Sequence, residues 1–251
     1  MTPRFVDIHH HLAYGVDDGP SNRKAMYRML ERAAKEGICT IIATSHATPG
    51  VHRFDLEAYR SALRDARAYC RSRGLDLTIL EGCEILYTNQ AVRMLQEGAI
   101  PALAGTDFVL VEFSPDVKYA RLREALQRLV SGGYRPVVAH VERYDCITAW
   151  PWRVAKLKEE MEVFFQINCS SVAEKKGLRV RFFVKWMLKN RMVDALGTDA
   201  HNTSFRPANM KKAWRTVRDL CGKKTARALT TAAFMGEDLL RILDESRREE
   251  E

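Results

Sequence analysis

The residues best suited to chemistry lie near the N-terminus, in Phe5-Val6-Asp7-Ile8-His9-His10-His11, with Gly15-Val16-Asp17-Asp18-Gly19 close behind. Alternate side chains of a strand share a face, which puts His9 and His11 about 7 Å apart on one side and turns His10 away. Neutral imidazole is the commonest protein metal ligand, so the pair reads as one edge of a metal site. Further residues of the same kind recur along the chain: His46, Glu84, Glu112, His140, and then Asp199 and His201 with the same one-residue gap. Singly, each has an ordinary explanation, such as a helix cap for His46, an arginine partner for Glu84 or an N-cap for Asp199. Together, five imidazoles and several carboxylates, with no thiolate among them, suit manganese, iron or zinc. They are too many for one ion. Two or three ions sharing a carboxylate can activate water and clamp phosphoryl oxygens, which is the chemistry of phosphate ester hydrolysis. His10 and His52 are left as solvent-facing or structural.

Seven short apolar and β-branched runs must position these residues: Phe5 to His9, Ile38 to Ala43, Leu77 to Glu84, Phe108 to Phe113, Pro136 to Ala139, Val163 to Asn168 and Val193 to Gly197. Helical spacing fills the intervals at Arg23 to Glu36, Leu56 to Ser72, Leu122 to Ser131 and Phe182 to Lys189, and Gly37, Gly74 and Gly132-Gly133 stop three of these. Such alternation predicts an α/β fold of parallel strands. A potential ligand follows nearly every strand. An open sheet gathers ligands at one switch point, whereas a closed barrel brings all its strand ends to one rim, so a seven-stranded (β/α) barrel is expected.

The 251 residues, 46% of them hydrophobic, suffice for one such domain over 1–245, with 246–251 as a charged tail. No apolar leader and no stretch of the ~20 residues needed to span a bilayer is evident, so a cytoplasmic protein without a membrane span is expected. The six cysteines lack Cys-x-x-Cys spacing and read as reduced thiols. The net charge of +8 favours phosphorylated or polyanionic partners. Lys175-Lys176, Lys211-Lys212 and Lys223-Lys224 are read as solvated surface, and no element suggests nucleic-acid binding.

Eight segments in order carry a family resemblance: Asp7-Ile8-His9-His10-His11, Val16-Asp17-Asp18-Gly19-Pro20, Thr44-Ser45-His46, Gly82-Cys83-Glu84-Ile85, Val111-Glu112-Phe113-Ser114, Ala139-His140-Val141-Glu142-Arg143-Tyr144, Asp199-Ala200-His201-Asn202 and Arg206-Pro207. The chain resembles the polymerase and histidinol phosphatase superfamily, and within it the manganese-dependent protein tyrosine phosphatases of bacterial capsule and exopolysaccharide operons. The resemblance implies a distorted barrel with three metal ions at its C-terminal rim. By position, His9, His11, Glu84 and Asp199 would hold the first ion, Glu84, Glu112 and His140 the second, and Asp18, His46 and His201 the third. Glu84 would bridge two ions, and Glu112 would count as a catalytic residue as well as a ligand. Arg143 and Arg206 match phosphate-binding arginines, a role suited to a planar fork. The implied substrate is phosphotyrosine on a protein, with a bacterial tyrosine kinase tail as the expected partner. Asp17 and Glu142 are candidate general acids, each better explained as structural. A small-molecule phosphatase acting on histidinol phosphate would share every ligand, and a non-catalytic metal-stabilised docking module is the alternative outside enzymes. Cys221 to Arg227 fits the Cys-x5-Arg pattern of thiol phosphatases, but it follows a helical segment, Ala208 to Leu220, instead of a strand.

Overall fold

Every expected strand forms, because each is a short β-branched run long enough to cross a core and bounded by turn-forming residues. The strands are β1 (Phe5–His10), β2 (Ile38–Ala47), β3 (Thr78–Leu86), β4 (Phe108–Glu112), β5 (Arg135–Val138), β6 (Phe164–Asn168) and β7 (Ala195–Gly197). The computed structural model of the chain describes residues 4–174 and 177–249. Lys175 and Lys176, and the last two residues of the expected tail, lie outside them.

The strands lie in sequence order in one sheet, and each pairs parallel with the next. The sheet curls until its ends meet. Asp199 N donates to His9 O (2.8 Å) and His11 N donates to Ala200 O (2.9 Å), joining β1 to the segment after β7. At the opposite end of β1, Val6 N donates to Thr230 O (2.9 Å). The result is a nearly closed barrel of seven parallel strands.

Two apolar clusters line the wall. One packs helices such as Arg23–Lys35, Leu56–Arg73 and Tyr119–Ser131 against the outside of the strands. The other fills the lumen with Val6, Ile8, Ile42, Leu110 and Val137, and the C-terminal segment adds Met235 and Leu239 to it. The final helix runs Gly236–Glu249, so the backbone stays helical past the boundary expected at residue 246. The helix expected from Phe182 starts earlier, at Leu178. No helix among the described residues is long and apolar enough to cross a membrane.

Two local departures matter for chemistry. β2 extends to Ala47, so His46 sits within the strand, in register with Glu84 on β3. On β1 the pairing with β2 slips between Asp7 and His10. Such a slip re-aims the side chains that follow it. Val6 and Ile8 point into the lumen, and beyond the slip His9 and His11 also reach the barrel axis.

Candidate metal centre

Glu84 is the centre of the site. Its side chain is almost wholly buried, and its Oε2 lies 3.2 Å from His9 Nε2, 3.2 Å from His11 Nε2 and 3.3 Å from His46 Nδ1. Its other oxygen faces His140 Nε2 at 2.8 Å. His9 Nε2 and His11 Nε2 are 3.3 Å apart, and Asp199 Oδ1 stands 3.5 and 3.6 Å from them. Four donors held about 2.0–2.1 Å from one ion would stand roughly 3.4 Å apart. The spacing is therefore that of a cage around a cation.

Two further groups adjoin this one. Glu112 places its oxygens 3.1 Å from His46 Nδ1 and 3.6 Å from His140 Nε2. Asp18 Oδ1 lies 3.4 Å from His46 Nε2 and 3.1 Å from His201 Nε2, and His11 also belongs to this third group. The buried His201 Nε2 has no partner in hydrogen-bond geometry despite that short distance. Its lone pair and the carboxylate aim at common space instead of at each other, as ligands do. All nine residues singled out as ligands thus converge. The grouping differs in detail, since His46 presents one nitrogen to Glu84 and Glu112 and the other to Asp18, and His11 stands between two groups.

Charge balance points the same way. Burial opposes ionisation of Glu84 and Asp199, yet neighbouring imidazoles, with Arg143 beside Asp199, hold both well below the usual carboxylate range. Burial likewise opposes a charge on His9, but Glu84 and Asp199 outweigh it and raise its pKa to about 9. His46 reaches about 9 against burial because of Glu112 and Glu84. His201 falls to about 4, because burial is reinforced by His11 and Arg206. Buried carboxylates at this density need positive charge close by, and a metal cation held by these ligands would supply it.

Arg143 Nη2 donates to Asp199 Oδ2 (2.7 Å), and Arg206 donates to Asp199 Oδ1. Both guanidiniums are part exposed at the rim. Together with Asn168 they line a pocket of about 190 Å³ over Asp199. A phosphate entering there would meet two planar forks and the edge of the cage.

A model of the family described as capsular polysaccharide synthesis, CpsB/CapC, matches residues 5–235. The chain belongs to that family. Among CpsB/CapC relatives, it is 32% identical over 229 residues to the tyrosine-protein phosphatase CpsB of Streptococcus pneumoniae, covering 89% of this chain and 94% of that protein. Identity to the tyrosine-protein phosphatase YwqE of Bacillus subtilis is 28% over 228 residues, with 91% and 89% covered. A crystal structure from the pair YwqE of Bacillus subtilis and CpsB of Streptococcus pneumoniae, described as metal-dependent tyrosine phosphatases, superposes with a TM-score of 0.81 at 27% identity. It covers 89% of this chain and 90% of its own.

Within this CpsB/CapC chain, the residues that hold the ligands in place are largely ones that sequence reasoning missed. Gln166 Oε1 faces His9 Nδ1 (3.1 Å) and accepts from His140 N (2.8 Å), while Gln166 Nε2 donates to Asn168 Oδ1 (2.9 Å). Asn168 Nδ2 in turn donates to Asp199 Oδ2 (2.7 Å). One buried chain of amides on β6 thereby orients three ligands. β6 is the strand that offers no ligand itself, and that gap in the series was the available signal. His140 (φ 31°) and Asp199 (φ 53°) occupy the left-handed region, which non-glycine residues rarely enter. The bonds to their N–H groups from Gln166 and His9 hold them there. Gly197 is required by close approach, since a Cβ would fall 2.6 Å from His9 Cβ.

His10 takes the structural one of the two roles left open for it by the sequence. It is fully buried, with Nδ1 2.9 Å from Asp7 Oδ2, and Asp7 also accepts from Thr198 N (2.9 Å). The slip in β1 turns it toward the β1–β7 seam, where it helps lock the barrel shut. His52 is exposed. Asp17 accepts from His46 N (3.0 Å) and Gly19 N (3.0 Å) and faces His11 Nδ1 (2.8 Å); burial opposes its ionisation, but His11 lowers its pKa to about 2. It orients the His11 ring. Glu142 accepts from Asn168 N (3.0 Å), which ties it to the same amide network. Cys221 closes the helix Met210–Cys221, and burial pushes its thiol upward. A helix C-terminus is the wrong end to stabilise a thiolate.

Proposed function

We propose that this protein is a manganese-dependent phosphatase that removes phosphate from phosphotyrosine on a protein. We further propose that its substrate is a cytoplasmic tyrosine kinase tail governing capsule or exopolysaccharide synthesis. The observation that carries the chemical reading is the pairing of Arg143 and Arg206 on Asp199 at the edge of the Glu84 cage. His9, His11, Glu84 and Asp199 would hold one ion, Glu84, Glu112 and His140 a second, and Asp18, His46 and His201 a third. Bound divalent ions would supply positive charge to the phosphoryl oxygens and lower the pKa of a water nucleophile.

The chain's own residues do the rest. Arg143 and Arg206 exchange Asp199 for the phosphoryl oxygens and neutralise their charge. Gln166 and Asp17 fix the rings of His9 and His11, and Asn168 fixes the Asp199 carboxylate, so less reorganisation is needed as charge develops. The leaving phenolate has a pKa near ~10, so it needs less proton donation than an alkoxide. That agrees with a site in which Asp17 is committed to structural bonds, while Glu142 binds Asn168 N through one oxygen and keeps the other without a partner.

The deciding assay is hydrolysis of a phosphotyrosine peptide by wild type and Cys221→Ser, each with and without EDTA. Activity that EDTA abolishes, that Mn²⁺ restores and that Cys221→Ser retains is the expected result. An inactive Cys221→Ser beside an EDTA-resistant wild type would overturn it.

A further inference from the structure

Immediately before Arg206 stands Phe205. At 93% exposure it is the most exposed large apolar side chain among the described residues. Water solvates a phenyl ring poorly, and a slack loop would let it fold back onto neighbouring apolar surface. This loop is not slack. Asn202 Oδ1 accepts from the backbone N–H groups of Ser204 (3.0 Å), Phe205 (2.7 Å) and Arg206 (3.0 Å). Arg206 O accepts from His201 N (3.0 Å) and Asn202 N (3.3 Å), closing the excursion at its base. An Asx-type turn of this kind sets the backbone as firmly as a backbone turn would. Its base is His201, a member of the cage.

The ring also lines the same pocket as Arg143, Arg206 and Asp199. At about 190 Å³ that pocket is smaller than the roughly 300–1,000 Å³ that encloses a small organic ligand. It accommodates a phosphoryl group and leaves whatever carries that group at the mouth, where Phe205 stands.

We propose that Phe205 is a specificity-determining residue that stacks on the aromatic ring bearing the phosphate, so that the site prefers aryl to alkyl phosphate esters. The inference rests on the phosphotyrosine reading and deepens it. Ring pairs prefer offset or edge-to-face contact and strengthen binding roughly two- to tenfold. A phosphoserine or phosphothreonine side chain offers no ring to stack. It would receive the grip of the arginines alone.

The test compares two phosphonates that differ only in the ring. Dissociation constants of phenylphosphonate and methylphosphonate are measured by calorimetry on manganese-loaded wild type, Phe205→Ala and Phe205→Tyr, with metal content determined in parallel. Wild type and Phe205→Tyr should favour phenylphosphonate. Phe205→Ala should lose roughly two- to tenfold of that preference while its metal content and methylphosphonate affinity hold. With a phosphotyrosine peptide, its loss should fall on KM and not on kcat. An equal phenyl-to-methyl ratio in wild type and Phe205→Ala, or no aryl preference in wild type, would refute the proposal. Ring discrimination without peptide hydrolysis would leave the stacking role standing and remove the phosphotyrosine reading.

Discussion

Glu84 is the residue on which the cage depends most, because its two oxygens face different groups: His9, His11 and His46 on one side, His140 on the other. A carboxylate between two cations screens their repulsion, and an amide in its place does so far less. Glu84→Gln should therefore lose more metal than Asp18→Asn, whose parent side chain is 60% exposed and belongs to one group. Metal content by mass spectrometry, read beside circular dichroism, checks the order, and full occupancy in a folded Glu84→Gln would refute the bridge. The arginines have a different signature. Arg143→Ala and Arg206→Ala should keep their metals while kcat/KM falls, since charge-assisted contacts of this kind are worth about 1.5–3 kcal/mol, or roughly one to two powers of ten. Wild-type kinetics in both would remove them from the site.

Among the elements, β6 has the least obvious role, since it holds no ligand yet orients His9, His140 and Asp199 through Gln166 and Asn168. Replacing Gln166 by leucine keeps the approximate volume but leaves a buried imidazole and the His140 N–H without their acceptor, which costs about 1–3 kcal/mol. Metal affinity of Gln166→Leu should fall roughly 10–100-fold, measured by chelator competition, because outer-shell partners of ligands act at that scale. The same strand shows where sequence reading stops. β6 was legible as a strand from its apolar run, whereas the use of its two amides depends on neighbours 2 to 157 positions away. The first of these separations is local, but the bond to His9 crosses 157 positions. The slip in β1 was equally hidden. Simple alternation groups His9 with Asp7 and turns His10 to the opposite face; the observed pairing buries His10 against Asp7. Nothing in the residue types announces that extra residue, and nothing in His140 or Asp199 announces a left-handed backbone.

For the whole molecule, alternation of strands and helices was enough to anticipate seven parallel strands, and the ligands near nearly every strand end were enough to anticipate one rim. The barrel floor was not legible, because Met235 and Leu239 enter the lumen by tertiary packing and carry no periodic mark that distinguishes them from an ordinary surface helix. Closure of the barrel makes the cage a staple, since it ties His9 and His11 on one end of the sheet to Asp199 and His201 beyond the other. An ion that binds only the folded chain stabilises it by about 2.7 kcal/mol at a hundredfold excess over its dissociation constant. For a protein of this length that raises Tm by roughly 5–10 °C. Calorimetric scans with Mn²⁺ and with EDTA should differ by that amount, and superimposable scans would show that the cage does not bind the ion.

The seam between β1 and the segment after β7 also sets a clock on biosynthesis. Seven of the nine cage residues, from His9 to His140, leave the ribosome before Asp199 and His201 exist. At about 5–20 residues per second, some ten to forty seconds separate His11 from its partner across the seam. Throughout that interval β1 is an open edge, with its backbone groups available to any passing strand. The arrival of Asp199, Ala200 and His201 supplies the missing ligands and the missing edge partner together.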